Sequence, residues 1–399
     1  MLVEIKRDRD DINNIKDRLA SSARFERCDR VPTIAWIDTR YWLPRLGLTF
    51  EEYFADPITQ IRAQVLGQKW AIENLGDDRV TFKGSAGSHA CGRYSEEELA
   101  IYVMPDFQII EEPSAYGCAI YWRKNDVPCV ASPSVNSTSD IEKVEKMDPQ
   151  TDGFLGKALQ FYHEMVKEAE KITIKMGGET FHPTPVIGRA DGPFTVASLI
   201  RGQQTIMVDI LRNPDFVHKL VQLVAQHQIE WIKMGKELCG LPEDGIWFFD
   251  DDYAPYLSPK LFREFAMPYE RMIYEAIGGL RPMHMCGDTN HLLEILVDDL
   301  KITSFEGFGY SVDLQKLARI MGGKIHLRGN LNPTTVAYGT REEIMEECRK
   351  RIEILGPCSG FILSDGANLP PDTPVENVRA MVRASELYSP KKLTLDIRE

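Results

Sequence analysis

His284 and Cys286, in the run PMHMC, are separated by one residue. On a strand both side chains then point the same way, because successive side chains alternate between faces. An imidazole and a thiolate on one face can chelate Zn²⁺, and Glu306 can add an oxygen from the next strand. The plainer reading is a small buried thiol beside a hydrogen-bonded core histidine. A second group is Asp250-Asp251-Asp252. Adjacent carboxylates repel and alternate in direction, so they cannot all be buried as anions, but at a strand end one or two can enter a pocket. Gly287-Asp288, Arg328 with Gly329-Asn330, and Asp365 with Gly366 and Asn368 also follow apolar runs. His326 shares a face with Arg328 but lies deeper, so it is read first as a core histidine and second as a reserve ligand. His89-Ala90-Cys91 sits in a Gly/Ser-rich stretch without strand character and is read as structural.

The elements that must carry these groups alternate. IWFFD (246–250), PMHMC (282–286), ITSFE (302–306), KIHLR (324–328) and GFILSD (360–365) are short and β-prone. Between and after them lie SPKLFREFAMPYERMIYEAI, NHLLEILVDD, VDLQKLARIMG, TREEIMEECRKRIEIL and TPVENVRAMVRASELY, with apolar residues at three- and four-residue spacing. Strand and helix repeated in this way require parallel pairing with crossover helices. RVPTIAWI and TPVIGRA read as two further strands, AIYWRKNDVPCVASPSV as a hairpin about Asn125-Asp126, and 205–238 as helix with Pro214 at a helix start. No glycine-rich phosphate loop follows the first strand, which favours a (β/α)8 barrel over an open doubly wound sheet. In a barrel, catalytic groups sit where strands end and βα loops begin. The residues named above hold those positions.

The 399 residues carry 47 Lys+Arg against 60 Asp+Glu, a net charge of -13, which argues against nucleic acid as the partner. The charged amino terminus and the lack of an uncharged apolar run of ~20 residues predict no membrane segment and a cytoplasmic protein. Eight cysteines without a close-spaced framework are expected to be thiols. With no repeat or linker, one domain over 1–399 is expected, with 1–30 as an amino-terminal helical extension.

The succession DDDYAPYLSPKLFREFAMPY, MHMCGDTNHLL, VDLQKLARIMGGKIHLRGNLNP and ILSDGANLPPDTPVENVRAMV resembles the uroporphyrinogen decarboxylase superfamily, as does RVPTIAWIDTRYWLPRLGLTFEEYFADP. The resemblance runs from residue 20 to residue 390 and implies the barrel with its helical extension. True decarboxylases carry a loop like MRQAGRYLPEY whose two arginines hold substrate carboxylates. This chain keeps Arg40 but has Trp36 where the earlier arginine would fall. A substrate with many carboxylates needs such bidentate anchors.

The other branch, of cobalamin-dependent methyltransferases, holds zinc by His-x-Cys and a later cysteine. His284 and Cys286 match the first part, whereas the later cysteine would fall near Ala367, and no cysteine follows Cys358. A less sulfur-rich site is a harder Lewis acid suited to oxygen. Members that demethylate methyl ethers resemble the chain better, in GFGYSVDL and SDGAN. The resemblance therefore implies methyl transfer from an O-methyl compound, a phenyl methyl ether, to Co(I) of a corrinoid protein. The chain has no Asp-x-His-x-x-Gly cobalamin segment, so the cobalamin is expected on a separate partner. Expected roles are His284, Cys286 and Glu306 as metal ligands, Asp250 as acid, Tyr310 and Asn368 as ring-oxygen contacts, and Trp36 as apolar wall. A homodimer is open as the assembly. The alternatives are uroporphyrinogen decarboxylation, methyl transfer from methylcorrinoid to a thiol, and a non-catalytic barrel that binds a tetrapyrrole or a corrinoid protein.

Overall fold

The computed structural model describes residues 1–82, 98–240 and 249–390. Six strands, Ala190–Asp191, Phe249–Asp250, Pro282–His284, Ser304–Glu306, His326–Leu331 and Phe361–Asp365, lie side by side in chain order, all parallel. Parallel neighbours need crossovers, supplied by Pro193–Arg201, Gln203–Arg212 and Pro214–Leu238, then Pro259–Phe265 and Met267–Ile277, then the short helical segment Leu293–Ile295 with Leu296–Leu300, then Leu314–Met321, and then Pro333–Tyr338 and Arg341–Leu355. Thr33 pairs parallel with Leu363, and the N–H of Asp78 donates to the carbonyl of Thr33 at 2.8 Å, which wraps the sheet from its last strand back to the first segments of the chain. The fold is the (β/α)8 barrel that the alternation implied.

Strand alternation decides what faces where. Met283, Phe305 and Leu327 join the main core with Leu317, Ile344 and Met381 of the helices, and each such buried side chain is worth roughly 2 kcal/mol. His284, Glu306 and Arg328, one residue on, are thereby left to the barrel interior. The helix starts follow local chemistry. Ser258 accepts from the N–H of Leu261 ahead of Pro259, and Thr340 with Glu343 forms a full capping box, worth about 1 kcal/mol.

Two expectations need correction. Residues 1–30 are not wholly helical: the helix Arg9–Ala23 is preceded by a strand, Leu2–Ile5, which pairs parallel with Thr173–Met176. The helix is tied to the barrel by Arg18, 2.6 Å from the buried carboxylate of Asp78. RVPTIAWI forms only the single bridge at Thr33. Pro32 has no N–H for the ladder, and the N–H groups of Ala35 and Trp36 donate instead to the carboxylates of Asp77 (3.0 Å) and Asp365 (2.6 Å). The hairpin about Asn125-Asp126 forms, between Ala119–Tyr121 and Cys129–Ser132. Among the described residues every cysteine is a free thiol, and no helix is long and apolar enough to cross a membrane. Part of IWFFD, and His89 with Cys91, lie outside the described residues.

Candidate metal centre

Five adjacent strands place an ionisable residue at one level. Asp191 is in register with Asp250, Asp250 with His284, His284 with Glu306, and Glu306 with Arg328. The row lies where the short strands end, the level at which barrel enzymes keep their chemistry. Asp191, His284, Glu306 and Arg328 are buried.

At its centre, His284 Nε2 lies 3.2 Å from Cys286 Sγ and 3.4 Å from Asp252 Oδ1. The Cys286 N–H donates to the same Asp252 oxygen at 2.9 Å. The donor atoms of Asp252, His284 and Cys286 all lie within 4.8 Å of one another. Among the described residues no other group of three or more His, Cys, Asp and Glu side chains is arranged this way. A nitrogen, a sulfur and an oxygen at this spacing fit a tetrahedral zinc ion.

The electrostatics favour a cation here. Burial opposes protonation of His284, yet the negative charge of Cys286, Asp250 and Asp252 raises its pKa well above the usual imidazole range. Asp252, half-buried, is held at about 2 against the cost of desolvation, chiefly by the hydrogen bond and charge of His284 and the N–H of Cys286. Burial raises the Cys286 thiol, with His284 opposing. A proton on the imidazole supplies the positive charge that the site calls for, and a divalent ion would displace it.

Glu306, expected as the third ligand, stands next to His284 in register, but its carboxylate lies 3.7 Å from Arg328. Asp252, from the aspartate triple, fills the place beside His284 and Cys286. Asp250 is pushed up to about 8 by burial, against the charges of His284 and Arg189 and with those of Asp191 and Asp252. Among the described residues its Oδ1 is buried without a hydrogen-bond partner, and its Oδ2 is 3.4 Å from Arg189. The Trp36 ring meets His284 edge-on at 5.0 Å, and the Arg328 guanidinium lies 5.7 Å from the Trp36 ring.

Arg189 and Arg328 also border a cavity of about 250 Å³ walled by Trp42, Tyr53, Tyr102 and Met104. Arg189 and Asp191 went unnoticed in the sequence, although their one-residue spacing at the end of TPVIGRA is the signal that picked out His284 and Cys286. Tyr310 is exposed on the loop after Ser304–Glu306, and Asn368 is half-buried after Phe361–Asp365. His326 stacks on Phe25 at 4.2 Å, with its pKa lowered to about 4 by burial, as a core histidine should be.

Three comparisons with known proteins agree with this fold. The family described as uroporphyrinogen decarboxylase (URO-D) matches residues 101–388. The methylcobamide:CoM methyltransferase MtbA of Methanosarcina mazei is 24% identical over 384 residues, 94% of this chain and 98% of that protein. The methylated-thiol–coenzyme M methyltransferase of the same organism is 23% identical over 341 residues, covering 83% of each. The uroporphyrinogen decarboxylase of Pseudoalteromonas translucida is 24% identical over 301 residues, 71% of this chain and 77% of that protein. Among solved structures, a methyltransferase from Methanosarcina mazei superposes with a TM-score of 0.66 at 19% identity, covering 93% of this chain and 98% of that one, a likeness of fold.

Proposed function

The chain belongs to the uroporphyrinogen decarboxylase family, and we propose that it is a corrinoid-dependent methyltransferase of that family which takes its methyl group from the oxygen of a small O-methyl compound, a phenyl methyl ether, and passes it to Co(I) of a separate corrinoid protein. The observation that carries this reading is the close cluster of Asp252, His284 and Cys286 at the strand ends. The relatives named as methylcobamide and methylated-thiol methyltransferases support the branch.

In this reading the three side chains would hold one Zn²⁺, while Glu306, in register beside His284, is held by Arg328. The metal supplies Lewis acidity toward the ether oxygen, and with one sulfur donor it favours oxygen over thiol chemistry. The chain's own residues do the rest. Asp250, whose burial favours its neutral form, gives its proton to the departing phenolate. Trp36 forms an apolar wall beside His284, while Tyr310 and Asn368 contact oxygens on the ring. The packed barrel interior restricts the acceptor to the carboxyl-terminal mouth, where orientation of the ether methyl toward it lowers the barrier.

Decarboxylation of uroporphyrinogen is the second reading, because relatives of similar identity carry that name. Trp36, in place of a cation, speaks against it. Product analysis separates the readings. Incubation with Co(I) cobalamin and a panel of methoxylated aromatics, methylated thiols and uroporphyrinogen is expected to yield the free phenol. Release of thiol or stepwise loss of CO₂ instead would reverse the assignment.

A further inference from the structure

We infer that the cavity beside the strand row holds the aromatic ring of the substrate, and that Gly67 and Trp42 together set its width and so determine which rings enter. The inference takes the kind of ligand from the proposed function and its place from the cavity. The cavity measures about 250 Å³. An apolar space of roughly 150 Å³ already accommodates benzene, so one substituted ring fits here and a tetrapyrrole macrocycle does not. Arg328 of the strand row borders the cavity, and so does Arg189, 3.4 Å from Asp250. A ring held there therefore adjoins the proposed acid.

The polar groups of the walls are already engaged. Tyr53 donates its hydroxyl proton to Asp106 at 2.9 Å and accepts from Gln64 Nε2 at 3.0 Å, while the Thr39 hydroxyl donates to the same Asp106 oxygen at 2.7 Å. Gln64 Nε2 also donates to the carbonyl of Met104 at 2.6 Å, Gln68 Nε2 to that of Tyr102 at 2.8 Å, and Gln60 Nε2 to that of Asp106 at 2.9 Å. What remains for a ligand on this side is the apolar surface of Ile37, Trp42, Tyr53 and Met104, which suits an aromatic ring.

The same bonds fix the helix Pro57–Asn74 in place. Gln60, Gln64 and Gln68 are four residues apart, share one face of it, and grip alternate residues of the segment that carries Tyr102 and Met104. Gly67 lies in the interior of this helix, where glycine is disfavoured relative to alanine, and no positive φ requires it. The Trp42 indole does require it. A Cβ at position 67 would lie 2.7, 2.9 and 3.0 Å from the indole atoms Cδ2, Cγ and Cε3, closer than carbon atoms pack. Trp42 is otherwise packed into a buried cluster with Tyr53, Phe54 and Phe107. An indole displaced from the helix has the cavity as its room to move, and the cavity narrows.

The test is equilibrium dialysis of the full chain against 2-methoxyphenol, a single ring, and 2-methoxynaphthalene, a fused pair, with circular dichroism to confirm folding. The parent is expected to bind the single ring at least about tenfold more tightly than the fused pair, and Gly67→Ala to bind the single ring at least about tenfold more weakly than the parent, the effect of about one methylene in such a pocket. Adding Trp42→Phe to Gly67→Ala should recover most of that loss. Unchanged affinity in folded Gly67→Ala, or no recovery in the double variant, overturns the role of the pair. Trp42→Phe alone leaves the helix untouched and should raise affinity for the fused pair; no rise overturns the role even where Gly67→Ala does not fold. Failure of the parent to bind 2-methoxyphenol, or methyl transfer by Gly67→Ala at the KM of the parent, overturns the subsite. Binding in the expected pattern without methyl transfer from any methoxylated aromatic to Co(I) cobalamin overturns the proposed function and leaves the subsite standing.

Discussion

Gly307 leaves the space that the imidazole of His284 occupies: a Cβ at position 307 would collide with the ring at Cε1 and Nδ1, and would lie 3.0 Å from the carbonyl oxygen of Gly366. The backbone there also has φ +66°, a region that side chains disfavour. Gly307→Ala is therefore expected to displace the ring, weaken metal binding about tenfold or more, and cost on the order of 2 kcal/mol. Metal titration and urea unfolding of the variant measure the two effects.

Asp252 and Glu306 should separate by readout. Asp252 is partly exposed and tied to the donor cluster, so Asp252→Ala should lose metal with little loss of stability. Glu306 is buried against Arg328, so Glu306→Leu should cost about 3 kcal/mol by leaving a buried guanidinium with one carboxylate fewer. Metal analysis beside urea unfolding checks the pair. Loss of metal from Glu306→Leu but not from Asp252→Ala would restore Glu306 as the third ligand.

Asp365 makes stability depend on pH. Its Oδ1 accepts from the Trp36 N–H, its Oδ2 is buried without a partner among the described residues, and burial pushes its pKa up to about 7. The native state thus holds a proton that the unfolded chain releases near pH 4. This contribution to stability is fully present below about pH 4 and is lost as pH rises to 7, on the order of 4 kcal/mol in total. Asp365→Asn, which keeps the acceptor for Trp36, should flatten the difference in unfolding free energy between pH 4 and pH 7. An unchanged slope would contradict the assignment.

Docking of the corrinoid carrier over the mouth should respond to charge there. Asp288, exposed just beyond Cys286, accepts from the Asn290 N–H at 3.0 Å. Asp288→Asn keeps an acceptor for that turn, whereas Asp288→Lys reverses the charge. The lysine variant should need more carrier for half-maximal rate while binding the aromatic compound as before, because rim charges act on encounter. Equal effects on both quantities would count against a separate docking surface.

The barrel was legible because its strands are apolar runs that end in charged or polar residues, and parallel order follows from the intervening helices. His284 and Cys286 were legible as a pair from their one-residue spacing, although the strand ends at His284 and Cys286 follows it, 3.2 Å from the imidazole. Asp252 was harder to place. The strand ends at Asp250, so alternation stops there, and the next two side chains meet partners from other parts of the chain, Asp251 the Thr195 hydroxyl and Asp252 the Cys286 N–H. Leu2–Ile5 was missed for a related reason. Four residues carry little periodic signal, and their partner strand begins at Thr173.

The most direct test of metal-assisted methyl transfer is the absorption spectrum of Co(I) cobalamin mixed with the zinc-loaded protein and a methoxylated aromatic compound. Conversion to the methylcobalamin spectrum is expected with the parent, with loss on zinc removal, return on zinc addition, and little conversion in Cys286→Ser. Conversion that proceeds equally without zinc or in Cys286→Ser, or no conversion with any methoxylated aromatic while uroporphyrinogen is decarboxylated, would contradict it.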